Sequence, residues 1–453
     1  MAENPTATDV AAAATPRAGV ANLSEWLRIR RDPIGLLQGL QAMGDIVPFQ
    51  RGSRRSYLLF HPELVKDVLV THHRSFGLTD IRLETKPLLG NGLLHSEGEL
   101  HKRQRRLANP AFHHTRIAQY ADVMTDYASR ASERWRNGDV VDIQKEMMEL
   151  TLGVVGKTLY DTDLDRSDLR TFREALNVVV DAFRVGSPAA SMLREMPLAI
   201  NDKVKQALRV IDEMVYRLIG ERRQGGEDHG DLLSMLIRAH DEEGDGGGMT
   251  DQQVRDEAVT LGVAGHETTA NALSWTWYSL AQHPEVEVKL HAELATVLGG
   301  RVPTLQDLPQ LTYARNVIAE AIRPYPPAWL LMRRAVEDVK VGDETVPAGA
   351  SVFFFPYLLH RDPRWWPDPD RFNPDRWTEA AEADRPKYAY IPFGAGPRMC
   401  IGEQFAWMEA TLVVAVLAQR WQPRLEPGQR VMLEPKINLR PRGGLPMRLE
   451  ARA

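Results

Sequence analysis

The spacing of apolar and polar positions divides the chain into a short strand-containing start, a long helical middle and a mixed end. Residues 98 to 322 repeat apolar side chains at helical spacing, with glycine-rich breaks at Gly225-Gly226 and at residues 245 to 248. Strand-like runs are found in three stretches, which are residues 47 to 60, 338 to 354 and 436 to 450. The pattern predicts a fold that is mainly α with a minor β portion, and a hairpin turn near Gly52.

The longest predicted helix, residues 250 to 282, carries polar groups inside an apolar stretch. Thr250 and Gln253 have the spacing of a capping box at its start. Gly265 lowers helix stability by ~1 kcal/mol relative to alanine, and Glu267 brings a charge that is costly to bury. Such departures from local rules indicate a functional site. A kinked helix in which Thr268 bonds to a carbonyl one turn earlier would give the same pattern, so the residues alone leave both readings open.

The single cysteine, Cys400, lies in a glycine-rich loop before an apolar helix. The loop reads Phe-Gly-Ala-Gly-Pro-Arg-Met-Cys-Ile-Gly over residues 393 to 402. The helix predicted over residues 403 to 420 would direct its positive N-terminal end and its free N–H groups at the sulfur, which favours thiolate. Thiolate ligation of a haem iron fits this loop. A buried structural cysteine beside a turn is the alternative reading.

The loop resembles the haem-binding signature of the cytochrome P-450 family of haem-thiolate monooxygenases, F-G-x-G-x-R-x-C-x-G, at every fixed position. The likeness extends from about residue 25 to residue 450, because four further motifs follow in the family's order. It implies the cytochrome P-450 fold, a triangular prism with a long central I helix and with haem between that helix and the L helix after Cys400. Residues 1 to 20 are expected to be a disordered tail, and residues 21 to 453 a single cytochrome P-450 domain.

The resemblance also implies the cofactor and the site residues. The cofactor is expected to be haem b, with Cys400 as the metal ligand. Thr268 and Glu267, within Ala-Gly-His-Glu-Thr-Thr at residues 264 to 269, resemble the family's catalytic pair that manages bound oxygen and its protons. The haem carboxylates are expected to contact His101, Arg105, Arg333 and Arg398, with Arg334 as the alternative to Arg333. Further cofactor-binding residues are expected to be Phe393, Gly394, Ala264 and Gly265.

A second motif is expected to hold the fold together behind the haem. Glu320 and Arg323 lie at i and i+3 on one helical face, where most ion pairs are exposed and contribute little. The aromatic Tyr325 indicates burial, and the segment resembles the family's E-x-x-R motif. The third partner of the family's triad could come from Arg371 or Arg376, and the spacing to the cysteine loop favours Arg376. This triad is expected to act in folding and haem retention.

Composition and charge limit the classes of binding partner that are expected. A net charge of −5 and a pI near 6.3 give no reason to expect nucleic acid. One cysteine cannot form an intramolecular disulfide. No stretch approaches the ~20 apolar residues that span a bilayer, so a cytoplasmic monomer without a membrane span is expected.

The resemblance predicts insertion of one atom of O2 into a C–H bond of a lipophilic small molecule of terpenoid, fatty acid, steroid or polyketide type. The chain ends soon after Cys400 without a reductase, so electrons are expected from a separate ferredoxin and an NAD(P)H-dependent ferredoxin reductase. The basic residues expected to form the docking patch are Lys102, Arg103, Arg106 and Arg116. A peroxide-driven hydroxylase is the alternative, which the intact Glu267 and Thr268 disfavour. A non-catalytic haem sensor or carrier is a third reading.

Overall fold

The computed structural model describes residues 32–51, 54–79, 82–162, 167–182, 202–225, 229–241, 243–244 and 246–452. The tail expected over residues 1 to 20 and the turn expected at Gly52 lie outside this part of the chain.

Helices make up most of the described residues. In chain order they are α1 (Pro33–Gln41), α2 (Pro62–Lys66), α3 (Arg82–Leu89), α4 (Gly98–Ala108), α5 (His114–Ile117), α6 (Ala121–Arg134), α7 (Ile143–Tyr160), α8 (Ser167–Ala182), α9 (Asp202–Gly225), α10 (Leu232–Arg238), α11 (Asp251–Leu280), α12 (Pro284–Leu298), α13 (Thr312–Ile322), α14 (Pro356–Leu359), α15 (Glu379–Ala383) and α16 (Glu403–Ala418). None of these helices is both long and apolar enough to cross a bilayer.

Short strands form small sheets at the edges of the helical body. They are β1 (Ile46–Arg51), β2 (Arg54–Leu59), β3 (Phe76–Gly77), β4 (Val140–Asp142), β5 (Leu331–Ala335), β6 (Val339–Val341), β7 (Glu344–Val346), β8 (Ser351–Phe354), β9 (Trp421–Leu425), β10 (Leu433–Pro435), β11 (Leu439–Pro441) and β12 (Pro446–Ala451). The largest sheet has the order β1-β2-β8-β5-β3, in which only β2 and β8 run parallel. The remaining sheets are β4-β12-β9, β10-β11 and β6-β7. The prediction of a mainly α fold with a minor β portion is confirmed.

The long helix α11 runs through the centre of the molecule. Its start is the predicted capping box, in which the Gln253 N–H donates to Thr250 Oγ1 (3.2 Å) and the Thr250 N–H donates to Gln253 Oε1 (2.9 Å). At 1.5 Å per residue, its length is about 45 Å. Most of its residues are buried, which is the pattern of a helix packed on all sides.

Two apolar clusters meet along α11 and fix its position. Ala270 and Leu273 belong to a cluster that also involves α6, α7, α12, α13 and α16. Val254 and Val259 belong to a second cluster with α4 and with α7 to α10. Because both clusters share α11, this helix is the rigid element against which a site can be positioned.

Several predicted boundaries agree with the structure. The β1-β2 pair is the predicted hairpin, with Ile46 opposite Leu59. Helix α9 ends at Gly225, where the sequence indicated a break, and α16 begins at Glu403 as expected. These are local signals, and the chain follows them.

Candidate active site

The cysteine loop is held in one conformation by its own backbone and by close packing. The Cys400 N–H donates to the Phe393 carbonyl (2.9 Å), and the Met399 N–H donates to the Gly396 carbonyl (3.0 Å). Gly396 has φ +71°, and a Cβ there would lie 2.0 Å from the Leu69 carbonyl oxygen, so only glycine fits. The loop therefore presents Cys400 directly before α16.

Cys400 is exposed to solvent, although the protein around its sulfur still changes the pKa of the thiol. Burial raises the pKa of this thiol, while the Gly402 N–H and the charge of Arg105 lower it by smaller amounts. The helix start therefore lowers the pKa of the thiol as expected, but burial raises it by a larger amount. A thiolate at Cys400 needs a further positive charge, which a coordinated metal ion provides.

Four basic side chains predicted from separate motifs converge beside this loop. His101 and Arg105 lie on α4, Arg333 on β5, and Arg398 in the loop itself. Arg105 Nη1 donates to the Met399 carbonyl (2.7 Å), which fixes α4 against the loop. Helix α4, Arg333 and Arg398 are separated from one another by at least 65 residues in sequence, so no local signal could have brought them together.

The electrostatics of this cluster show that positive charge is concentrated there. Burial is the largest cause that lowers the pKa of His101 to about 4, and the nearby Arg398, Arg105 and Arg333 contribute to this lowering in that order. Burial and Arg398 lower the pKa of Arg333 to about 10. Arg333, not the neighbouring Arg334, is the strand residue whose charge acts on His101. An anionic ligand would relieve this repulsion, and guanidinium groups match carboxylates in geometry, so the cluster fits the two carboxylates of a haem.

Helix α11 carries the residues that the resemblance assigns to the oxygen side of the haem. Within a stretch that is otherwise buried, Val263, Ala264, Gly265 and Thr268 are half-buried, while Glu267 is 9% exposed. Ala264 and Thr268 are one turn apart and share a face. Gly265 also allows close helix packing, because a Cβ there would lie 3.3 Å from Val155 of α7.

Side chains in this turn bond back to the helix backbone. Thr268 Oγ1 donates to the Ala264 carbonyl (2.7 Å), which is the structural reading that the sequence left open. Thr269 Oγ1 likewise donates to the Gly265 carbonyl (3.2 Å). A hydroxyl can rotate and also accept hydrogen bonds, so this contact is compatible with a role toward a ligand.

Phe393 and Gly394 lie on the cysteine side of the site. The Phe393 ring packs edge-on against Trp407 of α16, with ring centroids 5.6 Å apart. Gly394 is half-buried with φ +72°, a left-handed conformation that glycine adopts without strain. These contacts hold the start of the loop against the helix that follows it.

The buried triad has the predicted members. Arg323 donates to both oxygens of Glu320, at 3.0 Å each, and Arg376 Nε donates to Glu320 Oε1 at 3.0 Å. Glu320 and Arg323 are 0% exposed. Trp377 Nε1 and the Asn373 N–H also donate to the same carboxylate. The choice of Arg376 is confirmed.

Three consecutive charged residues near the start of α11, Arg255, Asp256 and Glu257, were not identified from the sequence. Asp256 Oδ2 accepts from the Asn91 N–H (2.8 Å), and Glu257 Oε2 accepts from the Leu93 N–H (3.0 Å). Arg255 precedes them and is also buried. These residues fasten the loop before α4 to α11. Three consecutive charges in a mainly apolar helix were the signal that could have found them.

The predicted docking patch is not supported for two of its members. Arg106 makes two hydrogen bonds to the buried Asp241, both at 2.8 Å. Arg103 Nη2 donates to the Gly247 carbonyl (3.0 Å), and its Nε lies 3.4 Å from Asp241 Oδ2. Their charges are engaged within the protein because the loop containing Asp241 folds over α4.

The fold and this site together define a haem-thiolate enzyme. The family model described as cytochrome P-450 matches residues 25–444, and the chain belongs to this family. Cyclooctatin synthase of Streptomyces melanosporofaciens is 40% identical over 95% of this chain and 93% of that protein. Cyclooctat-9-en-7-ol 5-monooxygenase of the same organism is 40% identical over 91% of this chain and 90% of that protein. Pentalenene oxygenase of Streptomyces avermitilis is 34% identical over 92% of this chain and 90% of that protein. The protein is a cytochrome P-450 monooxygenase.

Proposed function

We propose that the protein oxidises a lipophilic terpenoid, carries haem b, and receives electrons from a separate ferredoxin and its NAD(P)H-dependent reductase. The observation that carries the proposal is the convergence of Cys400 with the four basic side chains, and the resemblance implies that α11 lies across the haem from them. The relatives named for cyclooctat-9-en-7-ol and pentalenene favour a terpenoid over the fatty acid, steroid or polyketide alternatives.

The residues of the cysteine side would bind and orient the cofactor. Cys400 would supply the thiolate. The haem carboxylates would be held by four basic residues, which are His101, Arg105, Arg333 and Arg398. When bound, the haem supplies the activation of O2, which amino-acid side chains cannot perform. Binding of two carboxylates would also offset the repulsion within the basic cluster.

Residues of α11 would control the supply of protons to the reaction. Thr268 has a rotatable hydroxyl on the half-exposed face, and Glu267 is a buried carboxyl beside it in sequence. Glu267 would accept protons from the protein, and Thr268 Oγ1 would hold a proton that it can donate in a hydrogen bond on the side of the haem where O2 reacts. A positioned proton donor of this kind is typically worth about 10²- to 10⁴-fold in rate.

The substrate would lie against apolar side chains that remain accessible. Leu94 is 49% exposed and Ile437 is 40% exposed. Val263 and Ala264 are half-exposed on α11. Apolar side chains of this kind favour a hydrocarbon skeleton, because contact removes apolar surface from water.

A spectral titration against a panel of lipids tests the substrate class. We expect cyclic terpenoids to shift the ferric Soret band, with fatty acids and steroids giving weaker responses. The matched variant Val263→Phe, which changes no expected cofactor-binding residue, should keep the haem and lose the shift, because its larger ring takes up room at this half-buried position. Binding of fatty acids with no response to terpenoids would contradict the proposed substrate class.

Turnover tests the electron donor separately. With a ferredoxin, its reductase and NAD(P)H, one oxygen atom of isotopically labelled O2 should appear in the product. Activity with hydrogen peroxide alone, and none with any redox partner tried, would favour the peroxide-driven alternative.

A further inference from the structure

A cleft of about 490 Å³ that is open to solvent borders α11 at His266. Its other walls come from α7, α8, the β10-β11 pair and the loop after β11. Its charged and titratable wall residues, besides His266, are Asp142, Lys145, Glu149, Arg173, Glu174, Glu434 and Arg440. Such a wall holds water, because it offers both hydrogen-bond donors and acceptors.

Charges in the cleft are arranged in ion pairs that leave it polar without a single dominant sign. Arg173 Nη1 of α8 lies 2.8 Å from Glu149 Oε1 of α7. Arg440 Nε lies 2.8 Å from Glu434 Oε2 across the β10-β11 pair. The cleft is therefore suited to water and proton exchange more than to binding one charged ligand.

The geometry of α11 connects this cleft with the site. Each residue of an α-helix advances about 100° around the axis. His266 and Thr268 are thus about 200° apart, on opposite sides of the helix, and Glu267 lies between them. Thr268 is half-buried, whereas His266 borders the cleft. Three consecutive residues therefore lead around the helix from the cleft to the face that carries Thr268.

The His266 imidazole is arranged to exchange a proton at one nitrogen. Nδ1 lies 3.1 Å from the Gly262 carbonyl, which can only accept, so Nδ1 carries the hydrogen and Nε2 is the basic atom. Burial lowers the pKa of His266, while the hydrogen bond to the Gly262 carbonyl and, by a smaller amount, the charge of Glu267 raise it. The charge of Glu267 therefore acts on this ring.

We propose that this cleft is the inlet for the protons of the reaction and that His266 passes them to Glu267. The inference rests on the proposed roles of Glu267 and Thr268. In each turnover two protons and two electrons convert O2 and the substrate into the hydroxylated product and water. A proton moves from cleft water to His266 Nε2 and then to the Glu267 carboxylate, and His266 returns to its neutral form.

Substitution of His266 tests the inference by its effect on coupling. His266→Gln keeps a side chain able to hydrogen-bond, and His266→Leu keeps bulk in the helix, but neither can carry a proton. Product per NAD(P)H should fall about tenfold in both, below the usual range for a proton donor because Glu267 remains. Released peroxide should rise, while haem content and the substrate-induced spectral shift should not change. The control is His291→Leu, a comparably buried histidine on α12 (9% exposed), which should leave coupling unchanged.

Two readouts separate proton transfer from a structural role. Product per NAD(P)H should fall more steeply between about pH 6 and about pH 8 in His266→Gln than in wild type, because solvent protons become scarcer and no titrating group replaces the histidine. In the resting protein, the NMR titration of the His266 ring should move to lower pH in Glu267→Gln, because the charge that raises its pKa is gone.

The outcomes are distinguishable from those for the proposed function. If Thr268→Ala uncouples the enzyme but both His266 variants remain coupled, the cleft is not the inlet and the roles of Glu267 and Thr268 stand. If neither uncouples, the relay through Glu267 fails as well. An unchanged His266 titration in Glu267→Gln also overturns the inference.

Discussion

Replacing Glu320 with alanine should yield a chain that neither folds stably nor retains haem. The carboxylate is 0% exposed and accepts from Arg323 and Arg376. Its removal leaves two buried guanidinium groups without their charge partner, which costs about 3–5 kcal/mol. That is a large part of the ~5–15 kcal/mol that is the usual free energy of unfolding of a folded domain. The measurements are the haem-to-protein absorbance ratio and the thermal unfolding midpoint.

Two variants make this test specific. Glu320→Gln keeps hydrogen-bond acceptors without the charge and should lie between wild type and Glu320→Ala. Asp202→Ala removes a side chain that is 98% exposed and pairs with Lys205, so its effect should be small. A Glu320→Ala protein with normal haem content and an unchanged midpoint would contradict the structural role of the triad.

Replacing Thr268 with alanine should separate electron use from product formation. Without the hydroxyl, more of the O2 consumed should be released as hydrogen peroxide, so product per NAD(P)H should fall by a factor of about 10² or more. Haem binding, substrate binding and NAD(P)H consumption should persist, because the hydrogen bond that this side chain makes among the described residues is to the backbone of its own helix. Turnover driven by added peroxide should suffer much less. Product, NAD(P)H and released peroxide are measured together.

The neighbouring Thr269 provides the matched control. It makes the same kind of bond to a carbonyl one turn earlier, but it is buried on another side of α11. Thr269→Ala should therefore change coupling much less than Thr268→Ala. If Thr268→Ala leaves the product-to-NAD(P)H ratio at the wild-type value, the proton role is refuted.

Local signals made much of this molecule predictable. The start of α11 follows from Thr250 and Gln253, and the start of α16 follows from the glycines before it. The Glu320–Arg323 pair was visible because its members are one helical turn apart, and the spacing of Arg376 to Cys400 resolved the choice with Arg371. Each of these features depends on residues close in sequence or on a fixed motif order.

Features that depend on tertiary contacts were not predictable. The basic face of α4 looked available for a partner because Asp241, which binds Arg106, lies 135 residues further along the chain. The pKa of Cys400 is raised by burial, whereas the sequence shows only the opposing influence of the helix start. The cleft at His266 likewise exists only where α7, α8 and the β10-β11 pair meet α11.

The most direct test of the account is the absorption spectrum of the ferrous carbonyl complex. Wild type should show the strongly red-shifted Soret band that thiolate ligation produces, because Cys400 is the sole cysteine. Cys400→His should bind haem and lose that shift. A wild-type spectrum without the shift, or a Cys400→His spectrum that retains it, would contradict the assignment of Cys400 as the iron ligand.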